Sequence, residues 1–429
     1  MREQPAVSGS NRGDYDAQIG VDQLLSLDVS AIDGAFCWPL KSLELTDGSP
    51  ALSESEAKAC NDRGTRHFQM RRFDQAIAEF TTAIRWQPAN PTAFNNRGFA
   101  LLALGRNEEA LADFNAALNL NPRLATAWHN RGLVNAMNGE FAVAVQDFSA
   151  AIREDRSRSA SLQNRGVVQT TLGEFELAIT DFDESLRIEP LGYLALQNRG
   201  FAKLSLGRLT AASEDFTLAI TIDPKLATAY FHRANIHRAK KNFAEAIRDY
   251  SEVIQHQPEL SIARLHRAES YQQLKRFREA LDDLNHLIER NPKSPMLFSN
   301  RGMCFASLGE HDHALADFNT ALQLDPQYAN AYQLRATVLS VQQAHEAAIV
   351  DLINAVRHGL KVTEVYVNFS KMWLAPDSPF RNPRMARELA ERACELSDGT
   401  DPEALGILAQ ATVERLDGFF PAKSTSETE

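Results

Sequence analysis

The 429-residue chain has only four cysteines, Cys37, Cys60, Cys304 and Cys394, and no CxxC pair. Neither a zinc site nor a disulfide framework is expected from so sparse a set, and the usage suits a reducing compartment. Long apolar runs are missing too. None approaches the roughly 18 residues that a membrane-spanning helix requires, and the opening MREQPAVSGSNRGDYDAQ has no apolar core of a signal peptide, so the cytoplasm is the expected address. Basic excess is also absent: the formal net charge is -11. Nucleic acid and anionic membrane surfaces need cationic partners, so both are disfavoured. No phosphate loop, GxSxG or HExxH occurs. No catalytic domain, cofactor or metal is expected.

What is present is a period. Pro88, Pro122, Pro190, Pro224, Pro258, Pro292 and Pro326 lie at multiples of 34 residues from one another, and the one vacant slot in that series holds Arg156. Nine units follow, starting at Ala57, Pro91, Ala125, Ser159, Tyr193, Ala227, Ser261, Pro295 and Ala329. Each predicts two helices. In the second unit Phe94, Arg97, Gly98 and Leu101 share one helical face. Gly105 then occupies a slot suited to a left-handed stop, as do Gly139, Gly173, Gly207 and Gly309. A second helix carries Ala110, Phe114 and Ala117 and ends ahead of Asn121-Pro122, because a residue before proline avoids the helical region.

Small residues recur where two helices would have to approach. Position 8 is Gly64, Gly98, Gly132, Gly166, Gly200, Ala234, Ala268, Gly302 and Ala336, and position 20 is alanine from Ala76 through Ala348. A mid-helix glycine costs roughly 1 kcal/mol against alanine. Its repetition implies a packing gain, with the aromatic at position 24 (Phe80, Phe114, Phe148, Phe182, Phe216, Tyr250, Phe318) filling the space beside it. One hairpin cannot bury such a face alone, whereas stacked neighbours can.

Small at 8, alanine at 20, aromatic at 24, small at 27 and proline at 32 resemble the tetratricopeptide repeat. The resemblance implies an all-α fold, an α-solenoid in which antiparallel helical hairpins wind into a right-handed superhelix. Local departures are Cys60 and Arg264 at position 4, polar residues at position 11 (His67, Asn135, Gln169, Lys203, His237), and Leu360 in the ninth proline slot. The expected domains are a disordered extension over 1–52, nine repeats over 53–362, a degenerate repeat with a capping helix over 363–418, and a disordered tail over 419–429. The stretch VDQLLSLDVSAIDGAFCWPL in the extension is apolar enough to dock elsewhere. A bacterial origin is expected from the C-terminal layout.

Two positions stand out as charged in every unit. Position 7 is arginine throughout and position 23 is Asp or Glu throughout, giving the pairs Arg97 and Asp113, Arg131 and Asp147, Arg165 and Asp181, Arg199 and Asp215. The family pattern usually has an apolar residue at position 7. A structural charge ladder is the favoured reading, because each arginine has its own matched acid. Whether pairing runs within or between hairpins stays open, and a grip on an acidic ligand is the competing reading.

In this family the first helices line a concave groove. Position 6 reads Asn96, Asn130, Asn164, Asn198, His232, His266 and Asn300, with Asp62 and Leu334 at the ends. Asparagine both donates and accepts, so the row could hold a peptide backbone. Local bonding between helices is the alternative. Position 9 adds Phe99, Leu133, Val167, Phe201 and Met303, which either face the same ligand or pack between repeats. Lys58 alone among matching slots of the first three units is cationic, so a clamp for a terminal EEVD-like carboxylate is not expected. His311-Asp312-His313 falls in a turn and lacks further metal ligands. The expected function is a protein interaction scaffold binding an extended peptide or helix, and the expected partner is another protein. The alternative is an accessory or sensory subunit holding a small ligand or metal near His232 and His266.

Overall fold

The computed structural model describes residues 50–360, 363–374, 381–397 and 399–417. These residues form helices joined by short turns, with no strand among them. The fold is all-α, built from antiparallel helical pairs in tandem, the α-solenoid architecture. The tail over 419–429 and all but the last residues of the 1–52 extension lie outside the described residues. The first helix begins at Pro50, seven residues ahead of Ala57. Proline is preorganised for the first helical position, where its missing N–H is not needed.

Two compact units divide the chain, Met1–Ile236 and His237–Glu429. The first holds five helical pairs: Pro50–Gln69 with Phe73–Trp86, Pro91–Ala103 with Asn107–Leu120, Ala125–Met137 with Phe141–Glu154, Ser159–Thr171 with Phe175–Ile188, and Tyr193–Ser205 with Leu209–Ile222. The boundary falls inside the helix Ala227–Ala239. The second unit continues with Phe243–His256, then Ser261–Gln273 with Phe277–Arg290, Pro295–Ser307 with His311–Leu324, and Ala329–Val341 with His345–Arg357. It ends on Thr363–Leu374, Pro383–Leu396 and Pro402–Asp417. Within the first unit each first helix also touches the next first helix, so these helices stand side by side as one layer.

The glycine at position 8 is a packing device. A Cβ built on Gly132 would lie 2.9 Å from the Phe148 ring, and one on Gly64 would lie 2.6 Å from the ring of Phe80. Carbon atoms do not pack that closely, so each phenylalanine at position 24 stands against glycine, whereas Tyr250 stands against Ala234. Two of the three hairpins with alanine at position 8 make the complementary change, pairing Ala268 with Leu284 and Ala336 with Leu352.

Glycine at position 15 is a backbone device. Gly105, Gly139, Gly173, Gly207 and Gly309 all adopt φ between 73° and 82°. Four hairpins place a side chain in the same conformation: Arg71 (φ 56°), Lys241 (φ 61°), Lys275 (φ 57°) and Gln343 (φ 62°). The left-handed region costs an L-residue about 1 kcal/mol or more.

Candidate functional site

The charge at positions 7 and 23 forms a fork. Arg97 donates from Nε and Nη2 to the two carboxylate oxygens of Asp113, at 2.8 and 2.7 Å. Arg131 holds Asp147 at 3.0 and 2.7 Å, Arg165 holds Asp181 at 2.7 and 2.6 Å, and Arg199 holds Asp215 at 2.9 and 2.6 Å. In the second unit Arg267–Asp283, Arg301–Asp317 and Arg335–Asp351 repeat the same two-point contact. The two partners belong to one hairpin, sixteen residues apart. The carboxylates are buried and the arginines half-buried. The Asp113 hydrogen bonds raise the Arg97 guanidinium above its ordinary pKa, against the opposing pull of burial.

The remaining guanidinium nitrogen points the other way. Nη1 of Arg97 donates to Thr81 Oγ1 at 3.2 Å, that of Arg131 to Asn115 Oδ1 at 2.7 Å, and that of Arg165 to Ser149 Oγ at 2.8 Å. Arg199 reaches Asp183 at 2.6 Å, Arg233 reaches Thr217 at 3.1 Å, Arg267 reaches Ser251 at 2.9 Å and Arg301 reaches Asn285 at 2.9 Å. Each acceptor sits at position 25 of the preceding hairpin. One planar group therefore joins two hairpins, which a lysine could not do with the same geometry. The sequence reading missed position 25. Its signal was present: Thr81, Asn115, Ser149, Asp183, Thr217, Ser251, Asn285 and Asn319 all carry a side-chain oxygen.

The polar residues at position 11 also find a purpose. Asn135 Nδ2 donates to Asp147 at 2.8 Å, and Lys203 Nζ lies 2.7 Å from Asp215. A buried carboxylate has more lone pairs than one arginine fills, and these side chains fill another.

The row at position 6 splits into two kinds. Asn96 Nδ2 donates to Asn61 Oδ1 and Asn130 Nδ2 to Asn95 Oδ1, both at 3.0 Å, so each is committed to position 5 of the hairpin before it. Position 5 then ceases to be asparagine. His129 turns to Ser161 Oγ at 2.8 Å, and Gln163 donates to Ser159 Oγ at 3.0 Å. The side chains of Asn164 and Asn198, half-buried, form no hydrogen bond with the described residues, and neither does that of Asn300. Beside Asn198, the Oε1 atom of Gln197 is shielded from solvent and lacks a partner.

At position 9, Phe99 is buried and stacked on Phe68 with ring centroids 5.2 Å apart. Leu133, Val167, Phe201 and Met303 remain half-buried, and the first three flank apolar clusters. His232 lies among Phe201, Phe216 and Phe231, with centroids 5.3 to 5.9 Å away, and burial lowers its pKa to about 4. His266, in the other compact unit, is buried against Tyr250, whose hydroxyl is 3.5 Å from Nδ1. His313 meets Glu310 at 3.2 Å. Among the described residues no three His, Cys, Asp or Glu side chains come together as metal ligands would, and no helix is long and apolar enough to cross a membrane.

Sequence signatures described as tetratricopeptide repeat match residues 61–125, 100–160, 193–226, 227–260, 263–294 and 295–328, together more than half of the chain. No curated protein matches it in sequence. Similar solved structures include YrrB, described as a TPR protein with an unusual peptide-binding site, at 24% identity. It covers 43% of this chain and 95% of its own, with a TM-score of 0.39. A tetratricopeptide repeat protein from Parabacteroides merdae ATCC 43184 is 20% identical over 63% of this chain and 98% of its own, with a TM-score of 0.40. Yeast Tom70 is 14% identical over 86% of this chain and 98% of its own, with a TM-score of 0.39.

Proposed function

The chain belongs to the tetratricopeptide repeat family, and from that premise we propose that it is a scaffold holding an extended segment of a partner protein against the first helices of its fourth and fifth hairpins. The change along the asparagine row carries this reading. In the second and third hairpins the amides are consumed by Asn61 and Asn95. In the next two, Asn164 and Asn198 keep their hydrogen-bonding capacity unspent, beside an unpartnered buried oxygen on Gln197. A buried polar atom left unpaired costs about 1–3 kcal/mol, and the half-buried amides of Asn164 and Asn198 can donate to the C=O and accept from the N–H of a peptide backbone. Neighbouring helices pack about 8–10 Å apart and an extended chain advances about 3.3 Å per residue. Each hairpin would therefore engage about three residues of the partner. Val167 and Phe201, half-buried on the same helices, supply apolar contact for alternate side chains. The site reads backbone more than side chain, which suits a scaffold with several clients.

The test is a full-length Asn164→Ala/Asn198→Ala variant used to capture partners from the native cell, with mass spectrometry against wild type. Loss of a specific partner with an unchanged melting temperature is expected. Full retention of every wild-type partner would sink the proposal. Asn130→Ala is the internal control. It removes the bond to Asn95, so it should lower stability while leaving capture intact.

A further inference from the structure

We propose that the turn edge of the sixth and seventh hairpins is a docking surface for a carboxylate-rich segment of a partner protein, separate from the asparagine face. Against a net charge of -11, two adjacent turns in the unit His237–Glu429 expose Lys240, Lys241, Arg248, Lys275, Arg276 and Arg278. The glutamates of this edge are already engaged: Glu245 lies 3.9 Å from Arg248, and Glu279 accepts from Arg276 at 2.8 Å. Lys241, Lys275 and Arg278 form no ion pair with the described residues.

Backbone strain is a second and independent observation. Lys241 and Lys275 occupy the left-handed slot at φ 61° and 57°, where five other hairpins use glycine. Their side chains form no hydrogen bond within the described residues that would compensate. Arg71 and Gln343 take the same slot, but at Lys241 and Lys275 the residue that carries this cost also carries exposed charge with no ion pair among the described residues. Glycine would relieve it and would also remove the charge.

The patch selects its ligand by size. It is two turns wide, too small for the run of phosphate contacts on which nucleic-acid affinity depends, and the acidic remainder of the chain repels a long polyanion. Directly packed helices lie about 8–10 Å apart, which sets the least spacing expected for equivalent lysines on neighbouring turns. An extended segment spans that distance in about three residues, so carboxylates at i and i+3 would meet Lys241 and Lys275. Leu274, 40% exposed beside Lys275, offers an apolar contact between them.

The experiment is fluorescence anisotropy with the full-length protein and a labelled peptide carrying glutamate at every third residue, alternating with leucine and serine. Wild type should bind it, and added salt should weaken the complex. Lys241→Gly/Lys275→Gly should bind about tenfold more weakly or worse and yet melt at a higher temperature, so weaker binding cannot be a folding defect. Lys241→Arg/Lys275→Arg should retain binding. The proposal is overturned if wild type does not bind, if the glycine variant binds equally well, or if it is no more stable. It is overturned as well if a single-stranded oligonucleotide binds more tightly than the peptide. Asn164→Ala/Asn198→Ala should bind the peptide as wild type does, which separates this edge from the asparagine face.

Discussion

The junctions between regular hairpins and the junction that closes the array solve one problem with opposite chemistry. At the regular ones an arginine, an aspartate and a position-25 oxygen meet, as in Arg335, Asp351 and Asn319. At the last junction the same three slots hold Phe369, Leu389 and Ile353, and these sit in one apolar cluster with Leu352 and Val365. All three members change together. The geometry of stacking is therefore indifferent to whether the contact is ionic or apolar, provided that the set is internally consistent. A polar set suits a repeated junction, because an unmatched arginine or aspartate penalises a slipped register, whereas leucine and phenylalanine tolerate slippage.

Removing one member of a polar set has the largest expected effect. Asp113→Ala should cost about 3 kcal/mol, because it strands a half-buried guanidinium, and chemical denaturation would register it. Installing the closing set in that place, Thr81→Ile/Arg97→Phe/Asp113→Leu, should recover most of the loss. If the triple variant is as unstable as the single one, the two junctions are not equivalent. A smaller effect follows from protonation. His232 titrates at about 4 when folded, because burial disfavours its charged form, against an ordinary value of 6.5. Burial, with Arg158 nearby, holds His129 at about 3. Since both fold as neutral rings, the unfolded chain binds more protons between those values. Stability is complete above pH 6.5 and falls as pH drops below it. The loss should reach about 2 kcal/mol for each by pH 5. Residues 363–417 contain no histidine, so hydrogen exchange across pH 7 to 5 should show the first unit loosening while those helices hold. Equal protection changes in both regions would refute this. The smallest effect is at the ninth hairpin, where Gln343 takes the left-handed slot that Gly309 fills in the hairpin before it. Gln343→Gly should stabilise by about 1 kcal/mol, seen as a higher denaturation midpoint.

Much of the fold was legible because its causes are local and repeated. Glycine at 8 opposite phenylalanine at 24 can be read without coordinates, and Ala268 with Leu284 makes the logic explicit. Pairing of positions 7 and 23 could be anticipated from composition alone. Its direction could not, since sixteen residues along one hairpin and a neighbouring hairpin are equally plausible on paper. The third nitrogen of the fork was overlooked because position 25 varies in type (Thr81, Asn115, Ser149, Asp183) while keeping one property, an oxygen at short reach. The asparagine row was visible as a row. That Asn96 and Asn130 are spent while Asn164 and Asn198 are not depends on the identity of position 5 one hairpin earlier, where Asn61 and Asn95 give way to His129 and Gln163. Such a rule couples residues 35 apart and escapes any window that considers one helix at a time.

The backward reach of each arginine gives the array a grammar. Every hairpin from the second to the ninth carries the donor that completes its predecessor, and every hairpin up to the eighth carries the acceptor that awaits its successor. The ninth has Ile353 instead of an acceptor. A hairpin excised from the middle would keep its arginine joint elsewhere in the middle, yet appended after the ninth it would bring an arginine whose Nη1 meets Ile353 and not an oxygen. The chain thus encodes both how its parts join and where the polar joint gives way to an apolar one. During synthesis from the N-terminus each new hairpin meets a finished acceptor, so assembly can proceed in the order in which the chain emerges.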